Sequence, residues 1–154
     1  MKIRKAKSLD LPSVNRLLGQ LNHPLGVNDD LLREAFEGAL KKPDHLILVV
    51  EDNNDVVGYV SGHIHMALYA QQNVAYIDEI VIQEEKRSSG IGTALMEAFE
   101  QNLVEEHCVL SALATSGAIK FYEGLGYSGS ATYLKKPLID HINQKPNKAV
   151  VDNG

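Results

Sequence analysis

The chain has 154 residues, 44% of them hydrophobic, which is enough for one buried core and short for two ordinary domains. A net charge of −5, from 20 acidic and 15 basic residues, provides no basic face for a phosphate backbone, so nucleic acid is not an expected partner. There is no run of 18 apolar residues and no secretory pattern at the start, and the single cysteine cannot form an internal disulfide, so the expectation is a soluble cytoplasmic protein without a membrane partner.

Met1 to Ala6 reads as a short strand. Asp10 stands where a side chain caps a helix, Pro12 falls in the first turn, and Val14, Leu17, Leu18 and Leu21 share a face. The stretch Asn22 to Asn28 is a loop. Asn28 then caps a second helix whose stripe is Leu31, Leu32, Ala35, Phe36, Ala39 and Leu40, ended by Pro43 and Asp44. His45 to Glu51 and Val56 to about Tyr69 pair as a hairpin around Asp52-Asn53-Asn54-Asp55. After a turn from Ala70 to Asn73, Val74 to Ile82 is a strand, and a helix runs from about Gly90 to Glu106. Val109 to Leu113 returns as a strand, and Cys108, next to Val109 and Leu110, reads as a buried strand thiol. Ser116 to Glu123 is a short helix and Ala131 to Lys136 a last strand, while residues 138–154 are polar and read as an appended tail. The order is β-α-α-β-β-β-α-β-α-β, an α/β arrangement.

The segment from Ile80 to Leu95 carries the chemistry. An apolar, β-branched run gives way to a polar loop reading Arg87-Ser88-Ser89-Gly90-Ile91-Gly92, which opens into a helix at Thr93-Ala94-Leu95. The first N–H groups of a helix have no internal partner, and the aligned peptide dipoles favour negative charge there. Glycines let backbone approach such an anion closely. The implied ligand is a pyrophosphate-bearing cofactor. A dinucleotide fingerprint needs its first glycine directly after the strand and a third where Leu95 stands, and a P-loop needs Gly-Lys-Ser/Thr; neither pattern is present.

Arg-x-x-Gly-x-Gly between a strand and a helix resembles the signature of the GCN5-related N-acetyltransferase (GNAT) family. A second match follows in the expected order: Ala118-Ile119-Lys120-Phe121-Tyr122-Glu123-Gly124-Leu125-Gly126-Tyr127 is similar to that family's later Ala-x-x-Phe-Tyr and Leu-Gly-Tyr motif. Thr115 stands where the family often has an asparagine. The resemblance covers about residues 1–137 and implies a single α/β domain with a mixed sheet of about six to seven strands and about four helices, followed by a tail at 138–154. It implies acetyl-CoA as cosubstrate. The backbone of Ile80, Val81 and Ile82 would bond the pantetheine arm, and Arg87 with the amides of Ser88, Ser89, Gly90, Ile91, Gly92 and Thr93 would hold the pyrophosphate. Thr115 and Ala118 are the further cofactor positions. Homodimers are common in the family, which makes a homodimer an open expectation.

Acetyl transfer to an amine requires a base for the ammonium proton, a donor for the developing oxyanion and an acid for the departing thiolate. Tyr122 is the candidate acid by the resemblance, and Phe121 the neighbour that packs. The candidate base is Glu79, with Asp78 in reserve. Adjacent strand residues point to opposite faces, so a regular strand presents only one of them to the cleft, and a β-bulge changes which. His63 and His65 lie two apart and share a face, but no third ligand lies near them in sequence and no metal is expected. The function implied is an acetyl-CoA-dependent N-acetyltransferase for a primary amine of a small molecule, by direct attack in a ternary complex. The alternatives are acetylation of a protein N-terminus or lysine, and a non-catalytic acyl-CoA-binding module.

Overall fold

The computed structural model describes residues 1–21, 26–129 and 131–138. Their strands, β1 (Lys2–Lys5), β2 (His45–Asp52), β3 (Asp55–Ala67), β4 (Gln72–Ile82) and β5 (Leu110–Leu113), form one sheet in chain order. β1 to β4 are antiparallel neighbours, and β5 lies parallel to β4. The helices are α1 (Leu11–Leu18), α2 (Asp29–Leu40), α3 (Ile91–Glu105) and α4 (Ile119–Gly124).

Strand alternation divides the apolar side chains between two layers. On one face α3 buries Leu95, Met96 and Phe99 against Leu48, Val50 and Val60. On the other, Val14 and Leu17 of α1 and Phe36 of α2 pack on Ile47, Val49 and Tyr59. Burial of each such side chain is worth about 1.5–3 kcal/mol, which is why the amphipathic stripes fix both helix positions. Asn28 caps α2 as its sequence suggests, accepting a bond from the Leu31 amide at 3.1 Å. The hairpin turn takes Asn53 and Asn54 at φ 51° and 64°, the left-handed pair that a two-residue turn demands.

Several expectations are corrected. The sheet has five strands among the described residues, not six to seven. The segment Ala131 to Lys136 is not a strand: it is exposed throughout and pairs with no edge, so its β-branched and aromatic residues have no ladder to join. Its one aromatic anchor is Tyr133, whose ring stacks on Tyr76 at 6.4 Å. Asp10 does not cap α1 with its side chain. It accepts instead from the Lys7 amide at 2.7 Å and from both terminal nitrogens of Arg4 at 2.8 and 2.9 Å, a charged partner that outbids a helix amide. The short helix α4 starts at Ile119 because the Thr115 hydroxyl takes the Ala118 amide at 3.1 Å and holds the preceding residues in a turn. Cys108 is half-buried and precedes β5 instead of lying in it.

One irregularity positions the site. Ser61 of β3 pairs with Glu79, and the next residue, Gly62, pairs with Ile77, so Asp78 is an extra residue on β4. The partner position tolerates only glycine, because a Cβ on Gly62 would stand 2.6 Å from the Tyr76 carbonyl oxygen and 2.9 Å from Phe99 Cζ.

Candidate active site

The bulge turns Asp78 and Glu79 toward the same chamber, between the sheet and helices α1 and α2. Strand alternation alone would send one of them away. The chamber has a volume of about 160 Å³, and Tyr59, Ser61 and His45 complete its polar wall. Burial, and then the charge of Asp78, push the Glu79 carboxyl up to about 7. The Tyr59 hydroxyl opposes that rise without reaching hydrogen-bond geometry to Glu79, and its Oη is buried with no partner among the described residues. Burial and the nearby Glu79 charge raise the Tyr59 phenol, which keeps its proton.

His45 Nε2 lies 2.8 Å from Ser61 Oγ, and burial lowers its pKa, favouring the neutral ring. His63 and His65 do share a face, with ring centroids 5.7 Å apart, and His63 Nδ1 stands 3.3 Å from Asp78 Oδ2. Among the described residues no group of three His, Cys, Asp or Glu side chains is placed to hold a metal ion. Tyr59 and His45 are the site residues that sequence reasoning missed. The readable signal was the register: Tyr59 and Ser61 lie two apart on β3, so they share the face on which Glu79 projects.

β5 ends at Leu113 opposite Ile77, whereas β4 continues to Ile82. Beyond that point the side of β4 away from β3 has no neighbouring strand among the described residues, and Ile80, Val81 and Ile82 lie along this open edge. The chain then runs through Arg87, Ser88 and Ser89, all exposed, into α3. Arg87 Nε donates to the Ile82 carbonyl at 3.1 Å. Ser88 and Gly90 take φ 61° and 86°, the left-handed turns that aim successive amides in one direction. No side chain caps α3 and no acid stands in its first turn, so the amides of Ile91, Gly92 and Thr93 have no partner within this helix of 15 residues.

Gly92 meets a second constraint: a Cβ there would be 3.3 Å from Phe121 Cζ. Phe121 therefore packs on the first turn of α3 and ties the two sequence motifs together. Its neighbour Tyr122 is half-buried against the α3-side core with its ring edge-on to Phe121 and Tyr127, and burial raises its pKa. Tyr127 fixes this corner by donating to Glu100 at 2.8 Å and meeting Ser111 Oγ at 3.0 Å. Thr115 and Ala118 are exposed at the start of α4 and bonded to each other. The structure thus gathers Asp78 and Glu79 on one side of β4, and Tyr122 with the α3 terminus beyond its open edge.

One mixed sheet whose parallel pair ends early beside an uncapped, glycine-led helix makes this an α/β fold with an open strand edge leading to a helix start. The pattern of the acetyltransferase (GNAT) family matches residues 16–127, and the chain belongs to that family. Its members generally use acetyl-CoA as acyl donor. A transcriptional regulator from Bacillus halodurans is similar with a TM-score of 0.81 at 23% identity, over 89% of this chain and 99% of that one. Glucosamine-6-phosphate N-acetyltransferase from Arabidopsis thaliana gives 0.78 at 25% identity, over 90% and 98%. An aminoglycoside acetyltransferase from an uncultured soil metagenomic sample, in complex with sisomicin, gives 0.74 at 19% identity, over 90% and 96%. Among curated protein sequences the chain has no match. No helix of the described residues is long and apolar enough to cross a membrane.

Proposed function

We propose that this chain is an acetyl-CoA-dependent N-acetyltransferase acting on a primary amine of a small molecule, by direct attack in a ternary complex. The observation that carries the reading is the bulge at Asp78, which turns two adjacent carboxyls into one chamber beside the open edge of β4. A half-buried carboxyl raised toward neutrality beside a second one favours catalysis over a module that only binds acyl-CoA. A chamber of about 160 Å³ favours a small acceptor over a protein N-terminus or lysine, which would need a groove of peptide length.

The chain's features fit acetyl-CoA: an uncapped helix start without an acid, an exposed arginine before it and an unpaired strand edge leading to it. When bound, acetyl-CoA supplies the acetyl group as an activated thioester. Arg87 and the amides from Ser88 to Thr93 would hold the pyrophosphate, with charge-assisted bonds worth roughly 1.5–3 kcal/mol each. The backbone of Ile80, Val81 and Ile82 would bond the pantetheine arm and offer one N–H to the carbonyl oxygen. Thr115 and Ala118 would be the further cofactor contacts. Glu79 takes the proton that the ammonium must lose before nitrogen attacks, with Asp78 as the reserve base. Its value of about 7 suits a base working at neutral pH. Tyr122, kept protonated by burial, gives a proton to the departing sulfur.

The test is release of free CoA from acetyl-CoA across amines of different classes. Release above hydrolysis with one class supports the transferase. Tight acetyl-CoA binding without release from any amine would leave the binding module instead.

A further inference from the structure

The walls of the chamber define the body of the amine. α1 contributes Val14 and Leu18, and α2 contributes Leu32, Ala35 and Phe36, whereas the polar groups gather on the sheet side. No lysine or arginine lines the chamber among the described residues. A phosphate or carboxylate on the acceptor would therefore enter beside two carboxyls with no cation to meet it.

Tyr59 is 1% exposed and lines this chamber, with its hydroxyl buried near Glu79. The chamber's carboxyls, Glu79 and Asp78, are the groups that would meet an amine nitrogen at the sheet side. A single ammonium is enough to answer these two carboxyls. A second amine, or a ring of hydroxyls, would lie against Leu18 and Phe36 and lose its water without replacement. The volume of about 160 Å³ is close to that of an apolar cavity that takes benzene.

We infer that the acceptor is a compact monoamine with an uncharged apolar body, aralkyl or branched alkyl, and not a sugar phosphate, a polyol or a polyamine. The acetylation rests on the N-acetyltransferase reading; the ligand class stands on the chamber alone.

Two measurements on the full chain separate these. Calorimetric binding and free-CoA release are followed with propylamine, isoamylamine, phenethylamine, glucosamine 6-phosphate and spermidine. The expected kcat/KM rises by about fourfold for each added methylene until the chamber is full. Phenethylamine is expected to exceed glucosamine 6-phosphate and spermidine by about 100-fold. Ala35→Phe, which fills the chamber, should weaken phenethylamine binding by about tenfold or more and move the optimum to propylamine. Phenethylamine that binds without CoA release would remove the transferase reading and support the ligand class. Release strongest with glucosamine 6-phosphate or spermidine would keep the transferase and overturn the ligand class. Phenethylamine that neither binds nor reacts at millimolar concentration would likewise overturn the ligand class.

Discussion

Phe121 closes over Gly92: a Cβ at that glycine would stand 3.3 Å from Phe121 Cζ. The aromatic of the second motif thus sets the clearance for the first turn of α3, and with it the direction of the amides proposed to hold pyrophosphate. Phe121 is 36% exposed and can yield by a few tenths of an ångström, so a methyl group should be tolerated and a larger group should not.

Gly92→Ala is therefore expected to weaken acetyl-CoA binding modestly and Gly92→Val severely, read by calorimetry. Adding Phe121→Leu to Gly92→Ala should recover part of the loss, with a coupling of about 0.5 kcal/mol or more. Gly90→Ala acts differently, since its φ of 86° strains any side chain by roughly 1–2 kcal/mol. Strictly additive effects at Gly92 and Phe121 would disprove the coupling.

Tyr122 should separate chemistry from binding. Its phenol is half-buried and burial holds the proton on. Tyr122→Phe is expected to lower kcat by about 10²–10⁴-fold while acetyl-CoA affinity is unchanged. Unaltered turnover in the variant would take Tyr122 out of the mechanism.

The Arg4–Asp10 pair should govern acid stability. Asp10 is 6% exposed, and the Arg4 guanidinium holds its carboxyl below the usual value of 3.8. A lowered folded pKa means stability that is present above the unfolded value and is lost as pH falls through the folded one. Arg4 keeps its bond to Glu51, so Asp10→Asn is expected to destabilise the protein by roughly 1–2 kcal/mol at pH 7, with the difference shrinking in acid. Urea denaturation at pH 7 and at low pH measures both; an equal loss at both would assign the effect to packing.

Elements set by local chemistry were legible in the sequence. The Asn28 cap, the Asn53-Asn54 turn and the strand, loop and helix from Ile80 onward follow from periodicity and residue type alone. What was not legible depended on pairing between distant segments. The bulge at Asp78 exists because β3 and β4 shift register at Ser61 and Gly62, and no window around Asp78 reports that. Asp10 looked like a cap because its competitor, Arg4, reaches it only in the folded chain. Ala131 to Lys136 has the composition of a strand but no edge to join. Tyr59 is core, and its place beside Ser61 on the face of Glu79 follows only from the β3–β4 register.

Glu79 should exchange stability for activity. Burial and then the charge of Asp78 raise its carboxyl from 4.5 to about 7. Between those values the unfolded chain gives up the proton more readily than the folded one, so its contribution to stability is full below pH 4.5 and is lost as pH rises to about 7. Gln keeps the shape and does not titrate. Glu79→Gln is expected to exceed the wild type in stability by about 1–3 kcal/mol more at pH 8 than at pH 4. Its kcat should fall by about 10²–10⁴-fold, and the wild type's rise in activity through neutral pH should vanish with it. Denaturation curves that differ equally at the two pH values would mean that Glu79 titrates as an ordinary carboxyl. Full activity in the variant would pass the role of base to Asp78, the residue that the same bulge turns into the same chamber.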